Sequence, residues 1–345
     1  MVISMRNIFK IFTLCFFIVY FFILPALADE EDARDKHKDP QQPSAKKASG
    51  AISEVKDKLC YSAYLGILEG YDNNVYLNSA RKGDTFDQAM ADIVFRYRLN
   101  DKLDIKARYD FTSITYHKFT DVSMLDNQIL AAFEYYPQNR LKLEAGYLVD
   151  FVDYFKGKDS DFMMDGPFAG ARYYVNKKTY IGGMYQYNVY DYRSRKTRNS
   201  SDQETNITRK DKRNTVIAEF VTYMGKFFVK VKNAYFWNDS NDQYLDFYDY
   251  NSERINLYTA YPVTKKLVVL LNGGYQRKDF KSRTTVKDPS KKEHDNIMML
   301  GGGLSYKLLP SCTISLNYSY RQNYSNDPIQ DYSGSIGTLG VNIFF

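Results

Sequence analysis

Histidine and cysteine, which many catalytic and metal sites use, are scarce in this sequence. Its 345 residues contain three histidines and three cysteines, and the histidines lie far apart at positions 37, 117 and 294. No CxxC, HExxH or phosphate-binding glycine motif occurs. A membrane lipase or protease would need His117 or His294 beside a serine or aspartate partner. No sequence feature indicates such a partner, so we predict no enzyme, no metal site and no cofactor.

Long hydrophobic runs are also missing after the first 28 residues. No later segment approaches 18 consecutive apolar residues, which excludes membrane-spanning helices there. The early run from Ile11 to Leu24 follows Arg6 and Lys10 and leads to a small-residue site ending at Ala28. This order predicts a secretory signal peptide over residues 1–28. An uncleaved anchor is the alternative, but the run is shorter than the roughly 20 residues that a spanning helix needs.

Residues 29–58 contain few apolar side chains and many charged, Pro, Gln and Ser residues. Such a segment cannot bury enough apolar surface to offset the entropy lost on ordering, so we predict a disordered periplasmic arm. It is a spacer or, alternatively, a partner-binding segment. The two cysteines beyond the signal peptide, Cys60 and Cys312, fall on predicted strands that are not neighbours, and we expect no disulfide between them.

Aromatic residues, by contrast, are abundant, with 32 Tyr and 23 Phe, and apolar positions recur with a period of two. Ile93, Phe95 and Tyr97 alternate with Asp92, Val94 and Arg96. Period-two alternation indicates a strand with lipid on one face and water on the other. The final stretch alternates in the same way, and we predict that it closes a barrel against the strand near Tyr61 and carries the assembly signal. The residues of this closing face are Leu339, Val341, Ile343 and Phe345.

The connections between these strands alternate in length. Six tight turns, such as 100–102 and 225–226, alternate with seven longer polar segments, such as 72–85 and 193–213. Short periplasmic turns and long external loops are typical of outer-membrane barrels. We therefore predict an all-β fold, a closed antiparallel transmembrane β-barrel of about 14 strands over residues 59–345 with both termini periplasmic. Twelve or sixteen strands remain open, and a periplasmic β-sandwich is the alternative fold.

The predicted register turns eleven basic and seven acidic side chains toward the lumen. Charged rings on a pore wall set ion selectivity, so the excess predicts a weak anion preference. The alternative is a ladder of ion pairs that stiffens the wall, for example Arg98 opposite Asp104. The predicted pore-lining residues are Arg96, Arg98, Lys106, Arg108, Lys142, Arg172, Lys230, Lys232, Arg254 and Arg321, with Asp92, Asp104, Asp110, Glu144 and Glu219; Lys307, Glu134 and Asp150 complete the inward charges.

Two predicted external loops, 193–213 and 277–295, are rich in Lys and Arg. Basic loops at this position contact lipopolysaccharide phosphates or an acidic polysaccharide, or they are simply solvated.

A sequence motif lies at the end of the first strand, where Gly70-Tyr71-Asp72-Asn73-Asn74-Val75 resembles the GYDxNV opening of a family of outer-membrane β-barrel porins. The resemblance extends over residues 59–345. It implies a barrel with a transport role and, because some members accompany exopolysaccharide export, polysaccharide export components as partners.

The predicted function is passive transport across the cell outer membrane. The barrel is a porin-like channel for small hydrophilic solutes or a secretion-associated pore. The alternative is a non-conducting structural barrel that binds surface glycans. Its expected partners are outer-membrane lipid, lipopolysaccharide and the barrel assembly machinery, and we expect no nucleic acid.

Overall fold

The computed structural model describes residues 58–244 and 246–345, so the predicted signal peptide (1–28) and nearly all of the predicted arm (29–58) lie outside the described residues. Fourteen β-strands account for most of this part of the chain. In the described residues, no helix is long and apolar enough to cross a bilayer. The strands are β1 Leu59–Asp72, β2 Asp84–Asn100, β3 Leu103–Tyr116, β4 Met124–Gln138, β5 Leu141–Tyr154, β6 Phe162–Asn176, β7 Thr179–Arg198, β8 Glu204–Met224, β9 Phe227–Ser240, β10 Tyr250–Pro262, β11 Leu267–Thr284, β12 Lys292–Leu309, β13 Cys312–Ser325 and β14 Tyr332–Phe344.

Each strand pairs antiparallel with the next, and β1 pairs with β14 to close the barrel. The predicted fold class is therefore confirmed, with fourteen strands. Closure satisfies the main-chain hydrogen bonds of every strand and leaves no open edge, as a sheet in lipid requires. Cys60 and Cys312 lie on β1 and β13 and are both free thiols.

The two faces of the barrel follow the alternation in the sequence. On β1, Leu65 and Ile67 are exposed on the outside, whereas Gly66 and Leu68 between them are buried. On β14 the predicted closing face, Leu339, Val341, Ile343 and Phe345, is exposed on the outside. Exposed tyrosines recur near the short-turn rim, where the interface of a bilayer favours amphipathic rings. They include Tyr135, Tyr173, Tyr261 and Tyr306.

Short and long connections alternate as the sequence predicts, but two long loops are shorter than expected. The predicted loop 193–213 was wrong in extent, because β7 continues to Arg198 and β8 begins at Glu204. Pairing of Arg198 with Glu204 and a hydrogen bond between the Thr197 and Thr205 hydroxyls (2.6 Å) extend the ladder outward. The predicted loop 277–295 likewise contracts to residues 285–291, where the Thr285 N–H donates to the carbonyl of Lys291 at 3.0 Å.

The Gly70–Val75 segment stabilises the pairing between β1 and β14, the seam at which the barrel closes. The Asn73 N–H donates to the carbonyl of Ser335 (3.1 Å), and the Ser335 N–H donates back to the Asn73 side chain (2.7 Å). The fully buried Asn74 amide donates to the carbonyl of Ser333 at 2.8 Å. Gly70 is required because a Cβ there would meet the Phe86 ring at 2.5 Å. The motif therefore has a structural role at the long-loop end of the seam.

At the opposite end of this seam, the last residue of the chain closes the ladder. The Ala63 N–H donates to the carbonyl of Phe345 (3.2 Å), and the Phe345 N–H donates to the carbonyl of Ala63 (2.9 Å). Nine residue pairs between Tyr64–Phe344 and Asp72–Ile336 lie between these two ends. The short seam is thus held by backbone pairs at one end and by asparagine side chains at the other.

Candidate functional site

The inner wall of the barrel is the candidate functional site, because the predicted pore-lining residues share the inward-facing register. On β3, for instance, Asp104, Lys106 and Arg108 point inward between the outward residues Ile105 and Ala107. Most of these inward charges are paired with one another. The wall is therefore both the predicted charged surface and the predicted ladder of ion pairs.

A four-strand network is centred on Glu134 of β4, whose side chain is fully buried. The Arg96 Nε lies 2.9 Å from its Oε2, and the Lys142 Nζ lies 2.8 Å from its Oε1. Lys142 also reaches Glu144 at 3.2 Å, and Lys106 lies 3.6 Å from Glu144. Three cations share two carboxylates, so most but not all of the network's charge is neutralised within the wall.

Three further ion pairs, made by two arginines, flank this network. Arg98 lies 3.6 Å from its cross-strand neighbour Asp104, which is the pair predicted from the sequence. Arg108 binds Asp92 at 2.9 Å and Asp110 at 2.7 Å. Even so, Arg98 retains 61% of its side-chain exposure, because its guanidinium extends beyond the paired carboxylate.

Glu219 of β8 organises the next sector of the wall. It accepts from Arg172 at 2.9 Å and lies 3.5 Å from Lys230. Beside it, Gly170 and Gly182 have no side chains to fill the wall, which leaves a recess of about 160 Å³. The charged residues that line the recess are Lys142, Glu144, Arg172, Glu219, Lys230 and Lys232.

Arg321 is turned inward as predicted, but its guanidinium is used in the fold. Its Nη2 donates to the buried carboxylate of Asp72 at 2.7 Å and to the carbonyl of Asn74 at 3.1 Å. Arg321 therefore supports the Gly70–Val75 segment and offers less free charge to the lumen than its position alone indicates.

Aromatic side chains inside the barrel were missed by the sequence analysis. Phe236 lies between two guanidinium groups, with its ring centroid 5.4 Å from the Arg213 Cζ and 5.6 Å from the Arg254 Cζ. The Arg213 guanidinium also donates to the hydroxyls of Tyr190 (2.9 Å) and Tyr250 (2.8 Å). The signal is present in the sequence, since these aromatic residues occupy the inward positions of their strands.

Between the inward charges Arg254, Lys307 and Arg321, the middle of the wall formed by β10 to β13 is neutral and carries asparagines opposite glycines. Asn256 faces Gly274, Asn272 faces Gly301, and Asn317 faces Gly303 across neighbouring strands. Each asparagine lies over its glycine, and a Cβ on Gly274 would come within 2.8 Å of the Asn256 Oδ1. The glycines thus let the amides lie flat against the wall, and Asn272 remains exposed although it faces inward.

Comparison with known proteins finds a match to a family model in the last part of the chain. Residues 249–345 match the model of the family described as "Putative beta-barrel porin 2". The predicted resemblance is confirmed over these residues. No match among curated proteins is found.

Solved structures similar to this chain are outer-membrane barrels. OmpT, an outer membrane protein of Vibrio cholerae, is 10% identical with a TM-score of 0.49, and the alignment covers 83% of this chain and 97% of OmpT. A Pseudomonas aeruginosa FadL homologue is 10% identical with a TM-score of 0.44, over 83% of this chain and 90% of the homologue. The NanC porin is 12% identical with a TM-score of 0.39, over 81% of this chain and 98% of the porin.

His117, a residue considered for catalysis, lies outside the lumen beside β2. Its Nδ1 is 2.8 Å from the Thr85 hydroxyl and its Nε2 is 3.0 Å from the Asp87 carboxylate. The hydrogen bond to Asp87 raises the pKa of the imidazole above its ordinary value. Hydrolysis would also need free N–H donors for an oxyanion. The N–H groups of residues 85, 117, 118 and 119 already donate to Asp84 or to the carbonyl of Thr85.

In the described part of the chain, no group of three or more His, Cys, Asp or Glu side chains is arranged to hold a metal ion. What the inner wall does offer is charge of both signs, half-buried aromatic rings and exposed amides. That combination suits contact with hydrated, polar solutes.

Proposed function

We propose that this protein is an outer-membrane channel through which small hydrophilic solutes pass. The proposal rests on the difference between the side chains on the inner face of the barrel and those on its outer face. Inward positions hold the charged and amide side chains described above beside one apolar cluster of Ala132, Leu148, Met164 and Phe168, whereas outward positions on the same strands hold Leu, Ile, Val and Tyr. A closed barrel with an apolar exterior and a polar interior is stable in lipid only if water, or a polar filling, occupies the inside.

The interior of the described barrel has room for water. The recess beside Gly170 and Gly182 has a volume of about 160 Å³. Tyr258, an inward residue of β10, is 42% exposed. A barrel of fourteen strands is wider than the eight-stranded barrels whose side chains fill their interiors. These features support a water-filled passage.

We propose the orientation that other outer-membrane barrels have, with the short turns in the periplasm and the extended hairpins outside. The start of β1 and the end of β14 would then be periplasmic. In this orientation the basic hairpins near Arg195 and Lys196 meet lipopolysaccharide phosphates. The closing face from Leu339 to Phe345 serves the barrel assembly machinery as a signal. A role beside polysaccharide export components is the more specific form of the same proposal.

The test is conductance of the folded protein in a planar lipid bilayer. We expect stable open steps with a weak preference for anions, because the predicted inward charges contain more basic than acidic residues. Folding is verified first by far-UV circular dichroism in detergent. Absence of conductance from folded protein would reject the channel and favour a structural barrel whose hairpins bind surface glycans.

A further inference from the structure

Three inward cations on neighbouring strands differ from the paired charges elsewhere on the wall. In residues 58–244 and 246–345, Lys232, Arg254 and Arg213 have no carboxylate oxygen within 4.0 Å, unlike Arg96, Arg108 and Arg172. They lie on β9, β10 and β8, with Lys232 nearest the short-turn rim and Arg213 nearest the hairpins. We call these three residues the cation column.

The partners of the cation column are neutral. Arg254 donates from Nε to the Gln276 amide oxygen at 3.0 Å. Arg213 donates to the Asn238 amide oxygen at 3.2 Å as well as to two tyrosine hydroxyls. Lys232 faces Glu219 in register, but that carboxylate is already bound by Arg172 and Lys230.

Such an arrangement has a cost for the fold. All three cations are partly buried, and cations that share a low-dielectric wall repel one another. Contact with the Phe236 and Tyr190 rings stabilises the guanidinium groups only in part. Most other lumen cations, such as Arg96, Lys142 and Arg172, bind carboxylates, whereas Lys278 of β11 lies over the Tyr250 and Phe280 rings instead. Positive charge left free in one sector therefore indicates an anion supplied from outside.

The surroundings of the column fit an anion that also carries many hydroxyl groups. Lys232 lines the recess beside Gly170 and Gly182, so a ring-sized group can approach it. Tyr258 lies opposite Lys230 and presents an exposed ring to the lumen. The exposed amide of Asn272, two strands from Lys232, can exchange hydrogen bonds with hydroxyl groups.

We propose that the cation column is a binding site for a carboxylated sugar. The ammonium and guanidinium groups of Lys232, Arg254 and Arg213 would bind the carboxylates of an acidic saccharide. Tyr258 would stack on a sugar face, and the neutral wall would receive hydroxyl groups. The proposal deepens the proposed function, since it names the class of solute that such a channel selects.

The test is isothermal titration of the folded protein in detergent with trigalacturonate, and with the neutral trisaccharide maltotriose as comparison. We expect saturable binding of trigalacturonate only. The double variant Lys232→Gln/Arg254→Gln should weaken it about tenfold or more, because charge-assisted hydrogen bonds are lost. The matched control Lys226→Gln/Lys266→Gln removes two exposed turn charges and should change the affinity less than about twofold.

Several outcomes would overturn the proposal. Absence of saturable trigalacturonate binding, equal binding of maltotriose, or equal weakening by the control variant would each do so. Competition by inorganic phosphate at the same concentration as trigalacturonate would identify a simple anion site instead of a sugar site. Because titration does not require conduction, binding without conductance would reject only the channel, and conductance without binding would reject only the sugar site.

Discussion

The Arg96 guanidinium of β2 binds the Glu134 carboxylate of β4 at 2.9 Å across the intervening strand β3. Arg96, which the sequence predicts to line a pore, therefore also links two strands that are not neighbours. Lys142 of β5 binds the same carboxylate from the other side. One buried glutamate thus links three strands of the inner wall.

Replacement of Glu134 by Gln should destabilise the barrel. The buried Lys142 would keep only Glu144 as a charged partner, and breaking a buried ion pair costs about 3 kcal/mol or more. The free energy of unfolding, measured by urea titration of the protein in lipid vesicles, should fall by about that amount. The control Glu204→Gln, at an exposed hairpin tip, should change it by less than about 0.5 kcal/mol. Equal effects would show that the network contributes no stability.

Reversal of charge at Arg98 should weaken the anion preference of the channel. Its guanidinium remains 61% exposed despite the contact with Asp104, so ions in the proposed channel would pass beside it. We expect Arg98→Glu, alone and with Arg96→Glu, to shift the reversal potential under a salt gradient toward cation selectivity. Lys226→Glu on a short turn is the control. An unchanged reversal potential would mean that Arg96 and Arg98 do not line the pore.

Two adjacent glycines of β12 allow a matched test of the neutral wall. A Cβ on Gly301 would collide with the Asn272 side chain, whereas a Cβ on Gly302 would meet the Leu271 Cδ2 at an ordinary 3.4 Å. Gly301→Ala should therefore push the Asn272 amide into the lumen and lower the single-channel conductance, with a stability change below about 1 kcal/mol. Gly302→Ala should leave the conductance unchanged. A lower conductance in both variants would contradict the flat asparagine arrangement.

The fold could be predicted because lipid and water impose a period of two on every strand. Alternation fixes which face of β2 or β14 points outward, and the alternation of turn lengths fixes the strand count. Arg98 opposite Asp104 followed from a three-residue turn, since a tight hairpin sets the register directly.

Contacts across more than one strand could not be predicted in this way. The Arg96–Glu134 pair depends on an arginine side chain long enough to pass over β3. Arg213 is left without a carboxylate partner because Asp211 binds Arg209 instead. The extended hairpins were missed for a different reason. The Lys, Arg and Thr residues of these hairpins do not alternate with apolar residues, so the sequence has no period-two pattern that would predict strands there.

The contact between His117 and Asp87 should make the loop between β3 and β4 sensitive to pH. The raised pKa means that the contact is strongest below the ordinary histidine pKa of about 6.5 and is lost as the pH rises through the folded-state value. An NMR titration of the His117 ring in detergent-solubilised protein should give a midpoint above 6.5, and Asp87→Asn should lower it. A midpoint unaffected by Asp87→Asn would show that the carboxylate does not bind the imidazolium in solution.

Asn74 offers a test of the structural role assigned to the Gly70–Val75 segment. Its buried amide donates both to the carbonyl of Ser333 across the seam and to the carbonyl of Asn78 within its own loop, each at 2.8 Å. Asn74→Ala would remove the buried hydrogen bond to Ser333, whereas the Asn78 carbonyl would still accept from the Arg81 N–H, so the free energy of unfolding should fall by roughly 2 kcal/mol. Asn74→Asp should lower the free energy of unfolding by a similar amount, because a carboxylate cannot donate to these carbonyls. Asn78→Ala, which removes one exposed hydrogen bond to the Ala80 N–H in the same loop, should cost less than about 0.5 kcal/mol. If Asn74→Ala proves as stable as the Asn78→Ala control while conductance changes, the segment serves transport and the seam closes without it.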